Sequence, residues 1–244
     1  MIVIGHRGAA GYSFENSASS FKKAVQLGVD YIETDLHVLK DGTVVCVHDH
    51  VVNRVTNGKG HVAKYDIASL KALQLHNGDH IVTLDELLIL MKKENKKYKK
   101  HVRLNLEIKS KKAVVPTIMK LKNYIVKKDW QVDDFLITSF DYGLLRMVKE
   151  LLPEIRIGLL SIFPPFHYIG QAQSLQAYSL HPYSFFVRNW IVANAHKHGL
   201  LVMPYTVNNP KEIKRLNSIG VDGIISDFPD RVRKVEGNMK YYGL

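Results

Sequence analysis

A chain of 244 residues that is 46% apolar is too hydrophobic to be a disordered linker and long enough for one large α/β domain or two small ones. No apolar run approaches the length needed to cross a bilayer, and a single cysteine, Cys46, excludes an intrachain disulfide or a thiolate zinc cluster. Lys and Arg outnumber Asp and Glu by 34 to 23, a formal charge of +11, which suits an anionic partner without choosing among nucleic acid, lipid and small phosphate compounds.

Met1 to Ile4 is a continuous apolar run that reads as a buried strand, and it stops at Gly5 immediately before His6 and Arg7. No basic-then-apolar leader precedes it, so we expect an intracellular, cytoplasmic protein. Ser13 to Asn16 offers N-cap residues, and Phe21, Ala24, Val25 and Gly28 follow at helical spacing. The second strand, Val29 to Leu36, alternates so that Tyr31, Glu33, Asp35 and His37 share one face. Two carboxylates on one buried face repel each other and lose solvation, so they call for a cation or shared proton, unless they are solvated or paired with a lysine.

Asp41 and Gly42 form a turn, and Thr43 to Val47 makes a short strand leading to His48, Asp49 and His50. The turn-rich VVNRVTNGKG and a capped helix over Asp66 to Leu75 interrupt simple alternation, so 41–80 reads as a small insertion within the second βα unit of one domain covering 1–244. Alternation then resumes. Helices are expected at Thr83–Lys93, Ala113–Lys127, Tyr142–Leu152, Asn189–His198 and Pro210–Ile219, with a last one starting at Asp227. Strands are expected at Val102–Ile108, Phe135–Ser139, Ile155–Leu160, Ala177–Leu180, Leu201–Thr206 and Gly223–Ser226. Ser161 to Ser174, with its proline pair and aromatics, reads as a loop. The basic run KKENKKYKK looks like the solvated end of a helix, and without an aromatic platform beside it we expect no nucleic-acid partner.

About eight parallel strands favour a (β/α)8 TIM barrel, with a doubly wound open sheet as the other arrangement of the same pattern. His6, Glu33, Asp35, Glu107, Lys109 and Asp227 fall at or near C-terminal strand ends, where a barrel assembles its active site. Three carboxylates suit a hard divalent cation, and Arg7 and Lys109 suit a phosphate. Two histidines, His6 and His48, can divide general acid and general base duty in phosphodiester cleavage. We assign no catalytic role to the other histidines, of which His167 and His181 are the candidates for pocket contacts.

HRGAAGYSFENS, YIETDLHVLKDGTVVCVHD, VVNRVTNGKG, LNLEIKS and YTVNNPKEIKRLNSIGVDGIISDFP, in this order, resemble successive blocks of the glycerophosphodiester phosphodiesterase family. The resemblance implies a TIM barrel with a small insertion. It implies His6 and His48 as the acid-base pair, Glu33, Asp35 and Glu107 as ligands of Mg or Ca, and Arg7 and Lys109 as phosphate contacts. Glu15 and Asn16 match a signature near the site. The implied substrates are small glycerophosphodiesters such as glycerophosphocholine and glycerophosphoethanolamine, cleaved to sn-glycerol 3-phosphate and an alcohol, with no stable membrane insertion. Leu39, Val55, Ser17 and Tyr205 depart from the family pattern, where threonine is usual at the first three and tryptophan at the last. Tyr205 and the aromatic loop around Phe163 and Phe166 bear on which alcohol fits, with Tyr205 a candidate substrate contact. A lysophospholipid phosphodiesterase, a phosphate-binding module without turnover and a nucleic-acid phosphodiesterase are the competing readings.

Overall fold

The computed structural model describes residues 1–127, 129–162 and 168–240, with the backbone alone for 236–240. Its strands are β1 (Ile2–Gly5), β2 (Tyr31–Val38), β3 (Val44–Cys46), β4 (Arg103–Ile108), β5 (Phe135–Ser139), β6 (Arg156–Ser161), β7 (Ser179–Pro182), β8 (Leu201–Val202) and β9 (Gly223–Ser226). The helices are α1 (Ala18–Gln26), α2 (Ile67–Lys71), α3 (Leu84–Tyr98), α4 (Lys111–Val126), α5 (Tyr142–Leu151), α6 (Tyr168–Ser174), α7 (Asn189–Lys197), α8 (Pro210–Ser218) and α9 (Pro229–Lys240).

Neighbouring strands follow the order β8-β7-β6-β5-β4-β2-β1-β9, all parallel, with β3 antiparallel on β2. Sequence order is kept around the ring without the reversal of a doubly wound sheet. The seam is bridged by hydrogen bonds from Asp222 N–H to Val202 O (2.9 Å) and from Ile225 N–H to Pro204 O (3.0 Å). The eight parallel strands therefore form a TIM barrel.

Strand alternation divides the core in two. Val3, Ile32, Leu104, Leu106, Phe135 and Ile137 point outward into the shell packed by the helices. Ile4, Tyr31, Leu136, Met203 and Ile225 point inward and fill the barrel's middle. Register pairs Tyr31 with Arg103, Glu33 with Asn105 and Asp35 with Glu107, so two inward columns climb side by side from floor to mouth. Cys46 is buried against the shell.

Leu39, Val45, Val47, Val52, Val55, Val62, Leu70, Leu75 and Ile81 form a separate apolar cluster between β2 and α3. It is tied to the barrel by Val47 N–H donating to Asp35 O at 3.0 Å.

Three expected elements change. The helix over Thr83–Lys93 continues to Tyr98, taking in most of the basic run as its solvated end, with Glu94 buried and Asn95 bonding both Val102 N and Val102 O. The strand expected to reach Thr206 ends its ladder at Val202. Part of the expected loop is helix α6, whose inward contacts, Ile169 and Ala172, are too few to register as periodicity. Phe163, Phe166 and His167 lie outside the described residues. No helix among the described residues is long and apolar enough to cross a membrane.

Candidate active site

Because Gly5 pairs with Ser226, the residues that follow each, His6 and Asp227, emerge beside one another at the mouth. His6 Nδ1 lies 2.7 Å from Asp227 Oδ1. An ionised carboxylate only accepts, so the proton sits on Nδ1 and Nε2 is left toward the cavity. Asn208 fixes Asp227 in turn, donating its amide to the carboxylate and accepting from Asp227 N–H at 2.9 Å. Burial lowers the His6 pKa, but Asp227 and Glu33 outweigh it and the net shift is upward.

The chain then turns through Arg7, a non-glycine residue at φ 49°, and Gly8 at φ 91°. A side chain at Gly8 would meet Ser20 Oγ at 2.4 Å, so only glycine fits there. The left-handed turn aims Arg7 N–H at Glu33 Oε2, 2.9 Å away. Its guanidinium donates to Glu15 Oε1 at 2.9 Å and approaches Asp35 to 3.4 Å.

The β2 column carries Glu33 and Asp35, and the β4 column carries Glu107 and then Lys109. Glu33, Asp35 and Glu107 are all buried and offer oxygens within 4.8 Å of one another. Lys109 Nζ lies 2.8 Å from Asp35 Oδ1 and also bonds Glu107. Burial works against an ionised Asp35, yet Lys109 and Arg7 bring its pKa down to about 2. Glu33 has no lysine beside it, and His6 and Arg7 offset its burial only in part. Burial and the Asp35 charge push its carboxyl up to about 7, and its Oε1 is a buried oxygen with no hydrogen-bond partner. A buried, partnerless carboxylate oxygen beside two more carboxylates fits a hard divalent cation.

His48 reaches the same cavity from beyond β3. Its Nδ1 is 2.7 Å from Asp49 Oδ1, but Asp49 is shared with Arg54, whose Nε lies 2.6 Å from Asp49 Oδ2. Arg54 also donates from both terminal nitrogens to Glu15, at 2.8 and 2.7 Å. Burial dominates here and lowers the His48 pKa.

The cavity, about 130 Å³, is lined by His6, Arg7, Glu33, Asp35, His48, Asn105, Glu107, Lys109, Thr138, Phe140, Leu160, Tyr205, Thr206 and Ile225. Tyr205 forms part of its wall, edge-on to Phe140 with centroids 6.0 Å apart, and donates its hydroxyl to Ser161 O at 3.2 Å. Asn16 lies behind the wall. Its amide donates to Asp35 Oδ2 at 2.9 Å and its carbonyl accepts from Thr34 Oγ1 at 2.7 Å. His181 is buried where Gly158 leaves room, 2.8 Å from Ser179 Oγ, and burial brings its pKa down to about 3.

Residues 6–231 match the glycerophosphoryl diester phosphodiesterase family. The chain belongs to this family. It is 35% identical over 239 residues to the glycerophosphodiester phosphodiesterase of Caldanaerobacter subterraneus subsp. tengcongensis, covering 94% of this chain and 95% of that protein. A Silicibacter pomeroyi protein assigned to the glycerophosphoryl diester phosphodiesterases superposes with a TM-score of 0.87 at 27% identity, over 98% of this chain and 94% of that one. A phosphodiesterase of Oleispira antarctica, solved in complex with the product sn-glycerol-3-phosphate, gives a TM-score of 0.86 at 27% identity over 97% of each chain. The chain is thus a phosphodiesterase of the glycerophosphodiester class, and its mouth cavity contains an acidic cluster able to hold a metal.

Asp49, Arg54 and Asn208 carry no role in the sequence pattern. Asp49 was signalled by following His48 directly; Arg54 and Asn208 act through contacts that no spacing announces.

Proposed function

We propose that this phosphodiesterase hydrolyses small glycerophosphodiesters, such as glycerophosphocholine and glycerophosphoethanolamine, to sn-glycerol 3-phosphate and an alcohol, with Glu33, Asp35 and Glu107 holding Mg or Ca. The observation that carries the reading is two carboxylate-oriented imidazoles lining one cavity with three carboxylates, Arg7 and Lys109. The product bound by the Oleispira relative agrees with it.

His48, with its lowered pKa, is neutral near pH 7 and takes the proton from the attacking oxygen, either of water, which gives sn-glycerol 3-phosphate directly, or of the neighbouring glycerol hydroxyl, which gives a cyclic phosphate that water then opens. His6, with its raised pKa, gives a proton from Nε2 to the departing alcohol oxygen while Asp227 keeps the imidazolium oriented. Arg7 and Lys109 meet the phosphate oxygens and stabilise the charge that builds up on them. Glu33, Asp35 and Glu107 would hold the divalent ion, which would add positive charge beside the phosphate. Asn16 works through Asp35, holding it in place, and Tyr205 meets the alcohol portion. We read 1–244 as one domain with 41–80 as an insertion, and the buried single cysteine as suited to the cytoplasm.

The test is release of sn-glycerol 3-phosphate from glycerophosphocholine by the purified protein with Mg, with Ca and with chelator, beside His6→Ala. Metal-dependent release lost in the variant is the expected result. Release that survives the chelator would remove the metal role, and cleavage of lysophosphatidylcholine alone would move the substrate to lysophospholipids.

A further inference from the structure

The register that brings Asp35 and Lys109 to the mouth puts Tyr31 and Arg103 at the opposite end of the same two columns. There a bowl of about 620 Å³ opens at the N-terminal ends of the strands, with Arg103, Arg156, Tyr31 and Tyr178 in its lining. Its size suits a small molecule.

We propose that this floor is a second binding site, separate from the catalytic mouth, for a small multivalent oxyanion of the phosphate type gripped by Arg103 and Arg156. Arg103 begins β4, and its guanidinium carbon lies 5.7 Å from the Tyr31 ring centroid. Its Nε is buried without a hydrogen-bond partner, and it has no carboxylate in ion-pair range among the described residues. Arg156 begins β6 and lies 4.8 Å from the Tyr178 centroid. Its carboxylate neighbour, Asp133, is at 3.3 Å and exposed. Contact with an aromatic face holds a guanidinium by its plane and leaves in-plane N–H donors for oxygens of a ligand.

Two carboxylates also face the bowl, and both are committed to the scaffold. Asp30 accepts from Val3 N–H at 2.7 Å and pairs with Arg233 at 2.7 Å. Asp222 accepts from Val202 N–H at 2.7 Å and meets His196 Nε2 at 2.8 Å. With three arginines against two aspartates the bowl is net positive, on a chain of formal charge +11. Arginines serving only to seal strand ends would be paired with those aspartates. Arg103 is not, so its charge is left for an oxyanion in the bowl to meet through the guanidinium's exposed edge.

The experiment titrates inorganic phosphate by calorimetry into the metal-loaded protein and into the Arg103→Gln/Arg156→Gln double variant, with melting and circular dichroism as the check on folding. The unaltered protein should bind phosphate at the floor, and the variant should lose that binding by roughly tenfold or more, because each guanidinium contributes charge-assisted bonds. Phosphate binding identical in a folded double variant overturns the proposal. Should the variant not fold, a crystal of the unaltered protein soaked in phosphate decides: density between Arg103 and Arg156 supports the site, and a bare bowl overturns it.

Discussion

His6 and Asp227, 221 positions apart in the chain, meet through a 2.7 Å bond that gives the imidazole both its orientation and its proton preference. Asp227→Asn keeps the shape and removes the charge. Turnover should fall by on the order of 10²- to 10⁴-fold, the usual worth of a positioned acid or base. Burial then lowers the His6 pKa with less opposition, so the alkaline limb of the kcat/KM profile should move to lower pH. A limb that stays put would take His6 out of the acid role.

Arg54 competes with His48 for Asp49. In Arg54→Gln the carboxylate is freed for the imidazole and a nearby positive charge is gone, and both changes raise the His48 pKa. The acid limb of the rate profile should shift to higher pH. Glutamine cannot bridge Asp49 and Glu15 as the guanidinium does, so a roughly tenfold loss of rate is expected from poorer positioning. Steady-state kinetics across pH test both effects at once.

With Glu33 as a metal ligand, metal binding and stability are linked through its carboxyl. Its carboxyl titrates near the usual 4.5 when unfolded and near 7 when folded. The folded pKa is the higher one, so the stability from proton binding is fully present below 4.5 and is lost as pH rises toward 7. A divalent cation selects the ionised form and reverses that loss. The rise in Tm on adding Mg or Ca should therefore grow between pH 4.5 and 7, and melts in buffers spanning that interval measure it. A metal-induced rise that is flat across the interval would separate Glu33 from the metal.

Lys109 is the positive charge between Asp35 and Glu107 in the absence of metal. Lys109→Met leaves buried carboxylates uncompensated, a change that costs about 3–5 kcal/mol when one partner of a buried pair is removed. The metal-free variant should melt well below the unaltered protein, and added divalent ion should recover more Tm in the variant than in the parent. Calorimetric melts with and without the ion give the comparison.

Much of this site could be read from alternation alone. A period of two placed Glu33 and Asp35 on one face and Asn105, Glu107 and Lys109 on another, and the fold brings both faces to one cavity. Gly5 marked the end of β1 and so the position of His6. The turn signals could not announce that Arg54 would clamp Asp49 and Glu15 together, since those residues are joined only by tertiary contacts. The resemblance puts Asn16 near the site, and a left-handed backbone, φ 52°, directs its amide to Asp35. Helix α6 escaped notice because seven residues with two buried contacts carry too little periodicity.

His48, Asp49 and Arg54 are mounted on the small apolar cluster between β2 and α3, whereas His6, Asp227 and the three carboxylates belong to the barrel. The two halves of the proposed acid-base pair thus stand on separately packed foundations. Local opening of the smaller one would withdraw His48 from the cavity while every barrel strand remains paired. With His48 as the base, inactivation by denaturant or by proteolytic nicking should run ahead of global unfolding, the smaller core giving way first.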